Sequence, residues 1–288
     1  MTVDVFTQGP YAGNPVTVVL DGQGLDSATM LAFTRWTHLS EATFVLPPSA
    51  GARAQGADYQ VRIFSPAGEM DFACHPTLGT CHAWLAHGGK PQSAQRIVQE
   101  CGYGLVAITP SAQGLAFAAP AMQHRPLPPQ LPLIYAALGL SAAQVLECAL
   151  LDVGTPWLCV RLASPQVLLA LRPQPAQLQT LATLFEGDVG LGLCALEPPC
   201  PHPAPTQRLP QLQVRAFTLD GAEDPVTGSL NACLAQWLTQ QGHLTAPYWA
   251  QQGRCVGRDG WIGVRQDAQQ QLWIEGHSVT CITGQVWL

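Results

Sequence analysis

Three side chains in this 288-residue chain have the types and settings that acid–base chemistry requires. Glu41 has apolar residues close to it on both sides, which predicts that its carboxylate points into the fold. A buried carboxylate usually has a partner or a task, because an unpaired one is costly. His75 and Asp224 each precede a proline and a short turn, and imidazole and carboxylate groups can take up and return protons. Together, the three residues predict proton transfer.

Each of these residues also has a structural interpretation. A His-Pro or Asp-Pro pair often belongs to a turn or a helix cap, since both residue types are favoured there. Glu41 would then be a salt-bridged or capping carboxylate. The residue types alone leave both interpretations open for Glu41, His75 and Asp224.

The segments around His75 and Asp224 resemble each other. At one constant offset the matched pairs are His75 with Asp224, Pro76 with Pro225, Gly79 with Gly228 and Thr80 with Ser229. The strands before them read V-R-I-F at 61–64 and V-R-A-F at 214–217, and further upstream G-N-P at 13–15 corresponds to G-T-P at 154–156. Three matches in the same order predict an internal duplication into two similar halves.

Each copy is predicted to end a strand in a tight turn that opens a helix, the first helix running from about Thr80 to His87. Unpaired N–H groups at a helix N-terminus favour an anion. The predicted donors for a small carboxylate are the backbones of Gly79, Thr80, Gly228 and Ser229, with the hydroxyls of Thr227 and Ser229 close by. If the two copies face each other, His75 and Asp224 would lie opposite one another across a shared cleft.

Composition argues against several classes of partner. The net charge is −6, only 11% of residues are charged, and no Lys/Arg cluster occurs, so nucleic acid and acidic membranes are unexpected partners. No apolar run approaches the roughly 18 residues that span a bilayer. The start M-T-V-D-V-F has no signal-peptide features, and the ten cysteines lack framework spacing. We therefore expect reduced thiols and a cytoplasmic protein.

The pairs Cys74-His75 and Cys81-His82 raise the question of a metal, because thiolate and imidazole suit zinc. No C-x-x-C or H-x-x-x-H pair supports such a site. We therefore predict no metal. Cys74 could instead be a reactive thiol, although its match in the second copy is Glu223 and not a cysteine.

The coarse pattern places strands over 2–20, a helix over Leu25 to His38 capped by Asp26 or Ser27, a loop over Gly51 to Ala57, and helical residues from Ala143 to Leu146. The proline-rich segment 120–132 is the predicted linker between halves 1–119 and 133–288, with the last strand allowed to pack back on the first half. A second proline-rich segment, Pro198 to Pro210, predicts a surface loop.

Six motifs together resemble the PhzF-like isomerases of phenazine biosynthesis. They are G-N-P-V-T-V-V-L at 13–20, L-S-E-A-T-F-V at 39–45, A-D-Y-Q-V-R-I-F-S-P at 57–66, H-P-T-L-G at 75–79, E-D-P-V-T-G-S at 223–229 and Q-G-R-C-V-G-R at 252–258. This family is similar in fold to diaminopimelate epimerase and proline racemase. The resemblance implies an α+β fold of two pseudo-symmetric domains, each a β-barrel-like sheet around a central helix, and a homodimer.

The resemblance also implies isomerisation by proton transfer without a cofactor. Carried over by position, Glu41 is the principal acid or base, His75 and Asp224 are the other functional pair, Gly228 and Ser229 hold the ligand, and Asn14 is the Asn of the G-N-P motif. Asn14 could equally stabilise a left-handed turn. The biosynthetic member acts on trans-2,3-dihydro-3-hydroxyanthranilate. Where the family usually has glycine before the histidine, this chain has Cys74, which would narrow the substrate pocket.

The expected function is therefore proton transfer on a small carboxylate-bearing cyclic or amino substrate. Two alternatives stay open. One is an amino-acid racemase or epimerase, which would invert a configuration. The other is a protein that binds a small carboxylate without turning it over.

Overall fold

A computed structural model of the chain describes residues 1–185, 189–200, 208–218 and 221–288. It divides into two compact units, the first comprising residues Met1–Ala118 with Trp273–Leu288, and the second Ala119–Leu272. Both units combine a mixed β-sheet with few helices, as the α+β prediction requires.

The first unit is built on a central helix, α3 (Cys74–Ala86), that is buried on nearly all sides. Five strands of the first copy and the last strand of the chain pack against this helix, so that the sheet curves around it. The elements of the first copy are β1 Thr2–Val5, β2 Asn14–Val19, α1 Ser27–Thr37, β3 Ala42–Leu46, α2 Ala50–Ala54, β4 Tyr59–Ser65, β5 Gly68–Met70, α3 Cys74–Ala86, β6 Ile97–Cys101, β7 Gly104–Ser111 and β8 Gly114–Ala118.

The second unit has its own buried helix, α7, and a separate leucine-rich core. Its elements, together with the last two strands of the chain, are β9 Gln123–Arg125, α4 Leu131–Ala137, a 3₁₀ turn Ala142–Gln144, β10 Val145–Asp152, β11 Pro156–Leu162, α5 Pro165–Ala170, α6 Pro175–Ala182, β12 Gly190–Leu196, β13 Leu212–Phe217, β14 Glu223–Asp224, α7 Gly228–Gln240, β15 Tyr248–Gln252, a 3₁₀ turn Arg254–Val256, β16 Gly260–Gln266, β17 Leu272–Gly276 and β18 Ser278–Ile282.

Strand pairing repeats between the two units. In the first, β1–β2 is antiparallel, β2–β3 parallel, β3–β4 and β4–β5 antiparallel, β4–β6 parallel and β6–β7 antiparallel. In the second, strands β10 to β16 pair in the same order with the same directions. Matching order and direction over seven strands confirm the predicted duplication.

The end of each copy pairs with the start of the other. Strand β9, at the end of the first copy, pairs antiparallel with β10, and β18, at the end of the second, pairs antiparallel with β1. The domain boundaries read from the sequence therefore differ from the two units. Segment 120–132 carries β9 and the start of α4 and belongs to the second unit. Residues 273–288 belong to the first unit, and the last strand packs back on the first half as the prediction allowed.

Three local predictions need correction. Helix α3 begins at Cys74 and not near Thr80. The predicted loop over Gly51 to Ala57 contains a short helix, α2, which Ser49 caps by accepting from Ala52 N at 3.2 Å. Leu146 lies in a strand, β10, and not in a helix. The loop predicted over Pro198 to Pro210 falls partly on residues 201–207, which lie outside the described residues.

The helix predicted over Leu25 to His38 is confirmed as α1, Ser27–Thr37. The Asp26 carboxylate caps it by accepting a hydrogen bond from Thr29 N at 2.8 Å. At its other end His38 adopts a left-handed conformation with φ of 55°. This left-handed residue ends the helix, and three residues later the chain reaches Glu41 and then β3.

Candidate active site

Glu41 lies immediately before β3, at the strand's amino-terminal end. Strand β3 runs parallel to β2, with Ala42 opposite Thr17, and Asn14 is the first residue of β2. The parallel arrangement places both amino-terminal ends at the same edge of the sheet. Glu41 and Asn14 therefore both lie at that edge.

His75 is the second residue of α3 and only 6% exposed. Helix α3 tolerates Pro76 in its first turn because N–H groups there have no intrahelical partner to lose. The first backbone bond of the helix runs from Thr77 N to Ala73 O at 3.1 Å. The predicted position of His75 ahead of the helix is therefore wrong, because its backbone already belongs to the helix.

The structure brings Glu41, His75 and Asn14 together. His75 Nε2 lies 3.1 Å from Glu41 Oε2, and the two side chains are 8% and 15% exposed. On the other side of the ring, Asn14 Nδ2 lies 3.4 Å from His75 Nδ1. An amide nitrogen only donates, so Nδ1 accepts and a neutral imidazole carries its proton on Nε2, the ring nitrogen on the Glu41 side. We call these residues the Asn14–His75–Glu41 chain.

Gly79 and Thr80 do not lie at a helix N-terminus, so the prediction that their backbones offer unpaired donors is wrong. Both are buried in the second turn of α3. The Thr80 hydroxyl donates to Thr43 Oγ1 at 2.8 Å. A Cβ on Gly79 would overlap Val16 Cγ1 and lie 2.9 Å from Val5 Cγ2. Gly79 therefore lets the helix approach β1 and β2.

Cys74 is the first residue of α3 and is 4% exposed, so its thiol is buried next to His75 at the helix start. Across the described ranges no two cysteines form a disulfide. The same ranges contain no group of three or more His, Cys, Asp or Glu side chains arranged to hold a metal ion.

In the second unit, Thr227, Gly228 and Ser229 form the start of α7. Thr227 is its N-cap residue, and Gly228 and Ser229 are its first two helical residues. The Thr227 hydroxyl donates to Asp224 Oδ2 at 2.5 Å, which holds this carboxylate beside the helix start. The N–H groups of Gly228 and Ser229 lie in the first turn, as a carboxylate site requires.

The strand register matches His75 with Ser229 and not with Asp224. In the first copy β5 pairs Phe64 with Glu69, and in the second β14 pairs Phe217 with Glu223. Both helices then start at the same distance from these strands, with His75 and Ser229 as their second residues. The predicted pairing of His75 with Asp224 is therefore wrong at the level of the backbone, because the sequence identities follow a different offset.

Among the described residues, the position in the second unit that corresponds to Glu41 holds no carboxylate. Ala42 of β3 pairs with Phe64, and Leu191 of β12 pairs with Phe217, so the residue before each, Glu41 or Gly190, occupies the same position. A Cβ on Gly190 would overlap the Trp157 ring. The duplicated position is therefore filled by an indole, and only the first copy keeps an acidic group there.

Sequence reasoning missed two participants in the second unit. Trp157 Nε1 donates to Ser229 Oγ at 3.1 Å, and Gln252 hydrogen-bonds the segment that carries Asp224. The motif beginning at Gln252 was visible as part of the resemblance, but nothing in it indicates which residues its side chain meets. Trp157 could not be recognised from the sequence, because the comparison of the two copies relied on residues that repeat, and Trp157 has no identical residue in the first copy.

None of the helices in the part of the chain that the structure describes has the length and apolarity needed to cross a bilayer.

Two curated relatives are similar in sequence, one over nearly the whole chain and the other over about half of it. An uncharacterized isomerase of Mesorhizobium japonicum is 29% identical over 99% of this chain and 97% of its own length. The trans-2,3-dihydro-3-hydroxyanthranilate isomerase of Pseudomonas fluorescens is 34% identical over 54% of this chain and 50% of its own. The second match is stronger in identity but is confined to about half of each protein.

Solved structures share the fold. A PhzF-family phenazine biosynthesis protein of Bacillus anthracis superposes with a TM-score of 0.81 at 22% identity, covering 96% of this chain and 95% of that one. A probable proline racemase of Agrobacterium radiobacter K84 gives 0.63 at 12% identity over 100% and 92%. Both similarities confirm the predicted two-domain, epimerase-like fold. Residues 3–284 match the family described as phenazine biosynthesis-like protein, PhzC-PhzF. The chain therefore belongs to this PhzF-like family of isomerases.

Proposed function

We propose that this isomerase moves a proton between two carbons of a small carboxylate-bearing cyclic or amino substrate, without a cofactor. Substrates of the dihydro-3-hydroxyanthranilate type fit this class, because a relative at 34% identity is named for that isomerisation. The observation that carries the proposal is the 3.1 Å contact of Glu41 with His75 in a largely buried setting. We extend the proposal to a role in phenazine-type biosynthesis.

Glu41 is the proposed acid and base. His75 Nε2 lies 3.1 Å from Glu41 Oε2, and we assign the other oxygen, Oε1, to the substrate. As the substrate C–H bond breaks, its electron pair enters the conjugated system and Glu41 takes the proton. Glu41 then returns the proton to another carbon, so the product has the same atoms as the substrate. A positioned general base of this kind typically contributes about 10²- to 10⁴-fold.

Asn14 and His75 prepare Glu41 for this step. Asn14 is fully buried and fixes which ring nitrogen of His75 carries the proton. An N–H group on Nε2 can stabilise the Glu41 carboxylate before Glu41 takes the proton. This interaction weakens when Glu41 becomes a neutral carboxylic acid. Cys74, the next residue along the helix, is proposed to shape the substrate pocket.

The substrate carboxylate is assigned to the start of α7. The backbone N–H groups of Gly228 and Ser229 are the proposed donors, and the hydroxyl of Thr227 orients Asp224 beside them. Asp224 is proposed as a further functional group beside this carboxylate site. This assignment stays a prediction, and the variant Asp224→Asn tests it through a fall in kcat/KM.

An isomerase is favoured over a racemase by the asymmetry of the two copies. Racemisation with inversion generally uses one acid–base group on each face of the carbon. At the position of Glu41 the second copy has Gly190 covered by Trp157. A carboxylate at this position in the first copy, with Gly190 in the second, suits removal and return of a proton on one face. Inversion of an amino acid's configuration with deuterium uptake would reverse this preference.

Proton NMR in heavy water tests the proposal. Purified protein is incubated with trans-2,3-dihydro-3-hydroxyanthranilate and with a panel of small cyclic and amino acids, and C–H signals are followed. We expect conversion of at least one compound with deuterium at a new carbon, unchanged by prior treatment with EDTA. Binding without exchange would instead support the carboxylate-binding alternative. A homodimer in the cytoplasm is our further proposal, and light scattering of the purified protein checks the dimer.

A further inference from the structure

Gln252 is a buried amide at the end of β15 that makes four hydrogen bonds, three to the segment before α7 and one to Asn231 within α7. Its Nε2 donates to Asp224 O at 3.0 Å and to Thr227 Oγ1 at 2.8 Å. Its Oε1 accepts from Thr227 N and from Asn231 Nδ2, both at 3.1 Å. With an exposure of 1%, Gln252 has its full hydrogen-bonding capacity used inside the protein.

This bonding fixes the direction of the Thr227 hydroxyl. Because the amide nitrogen of Gln252 only donates, Thr227 Oγ1 accepts from it, and its own hydrogen points elsewhere. The remaining partner is Asp224 Oδ2 at 2.5 Å, so that the hydroxyl donates to the carboxylate. A chain of donors therefore runs from Gln252 through Thr227 to Asp224. Hydrogen bonds to an ionised acceptor are the stronger kind.

The residues after Gln252 support the same segment from its other side. Gly253 has φ of 97°, and a Cβ there would lie 2.8 Å from Pro225 O. A Cβ on Gly260 would overlap Val226 Cγ2. Both glycines therefore allow the backbone around β15 and β16 to approach residues 225 and 226 closely.

We propose that Gln252 is a positioning residue for Asp224, acting through the Thr227 hydroxyl. This inference rests on the proposed function in so far as Asp224 acts on substrate. It gives the Q-G-R motif a physical task, since Gln252 supplies the donors and Gly253 supplies the close approach. The role of Gln252 is to hold the Asp224 carboxylate in one orientation beside the helix start.

Crystal structures of the wild type and of Gln252→Met test the positioning itself. Methionine keeps the length of the side chain but removes both donors. We expect the bond of 2.5 Å between Thr227 Oγ1 and Asp224 Oδ2 to be lost and the carboxylate to turn. An unchanged bond would overturn the proposal. If the variant does not fold, Gln252→Glu is used, because it keeps the acceptor for Thr227 N and Asn231.

A kinetic cycle tests the consequence, with trans-2,3-dihydro-3-hydroxyanthranilate as probe. Gln252→Met should lower kcat by about 10- to 100-fold, as misplaced groups do. In the Asp224→Asn background the same change should cost less than about twofold, because the group it positions is already disabled. The control is Gln213→Met, which removes another amide that is 1% exposed in the same unit and should leave kcat within about twofold.

The outcomes separate this inference from the proposed function. Equal losses in both backgrounds would mean that Gln252 acts through general structure and not through Asp224. If Glu41→Gln keeps full turnover, or the wild type does not convert the probe, the proposed function fails in that respect. The crystallographic comparison then still decides whether Gln252 positions Asp224.

Discussion

Replacing Gly79 by alanine distinguishes its packing role from the ligand-holding role that its sequence motif suggested. The new Cβ would overlap Val16 Cγ1 and lie 2.9 Å from Val5 Cγ2. Both valines are fully buried in strands and have stiff side chains, so neither can move aside cheaply. Overpacking of this kind costs about 1–3 kcal/mol. Removing a glycine from a helix interior returns about 1 kcal/mol. Because both valines are held in place, the upper part of the overpacking range applies, about 2–3 kcal/mol, and the expected net loss is about 1–2 kcal/mol.

Gly51 provides a matched control in the same unit. It lies inside the short helix α2, and a Cβ there would meet nothing within 4 Å. Gly51→Ala should therefore stabilise the protein by about 0.5–1 kcal/mol. Urea unfolding followed by tryptophan fluorescence measures both variants against the wild type. If Gly79→Ala is as stable as the wild type or more stable, the close approach of α3 to β1 and β2 is refuted.

Three further variants or conditions have defined outcomes. Trp157→Phe removes the indole donor to Ser229 and should cost about 0.5–1.5 kcal/mol in urea unfolding; no cost would contradict that hydrogen bond. Burial raises the pKa of both Cys81 and Cys194 to about 12, so the folded state keeps protons that the unfolded state releases above about pH 9. The free energy of unfolding should therefore fall as the pH rises further. Thermal unfolding at alkaline pH checks this, and a melting temperature that does not change with pH would contradict it. A hydrogen bond from Arg161 lowers the pKa of Glu147, so its contribution to stability is present above the pKa of the unfolded state and is lost as pH falls through the pKa of the folded state. Glu147→Gln should therefore reduce the loss of stability at acid pH. A plot of stability against acid pH that is unchanged in this variant would contradict this.

The duplication and most elements could be read from the sequence, because strand patterns, turns and the Asp26 cap are local signals. The start of α3 could not. Pro76 and Gly79 both look like helix breakers, yet one lies in the first turn, where no N–H bond is lost, and the other is required for close packing. Local propensity gave the wrong boundary because tertiary contacts decided it.

The residues of the candidate site could be identified from the sequence, but the contacts between them could not. Glu41, His75 and Asn14 were each visible, but only the parallel pairing of β2 with β3 brings them to the start of α3. The loss of the second carboxylate was not predictable, since matching Gly190 to Glu41 requires the register of the intervening strands. Asp224 was predicted in a turn but lies in the short strand β14, and the identities that matched it to His75 do not follow the backbone.

The most direct test of the account is deuterium uptake by Glu41→Gln, measured by NMR in heavy water on whichever probe the wild type converts. Glutamine keeps the size of the side chain but cannot take up the proton. Glu275→Gln, which changes another largely buried carboxylate in the first unit, is the control. We expect Glu41→Gln to lower exchange by about 10²- to 10⁴-fold while the control stays near the wild type. Exchange at the wild-type rate in Glu41→Gln would contradict the assignment of the proton transfer to Glu41.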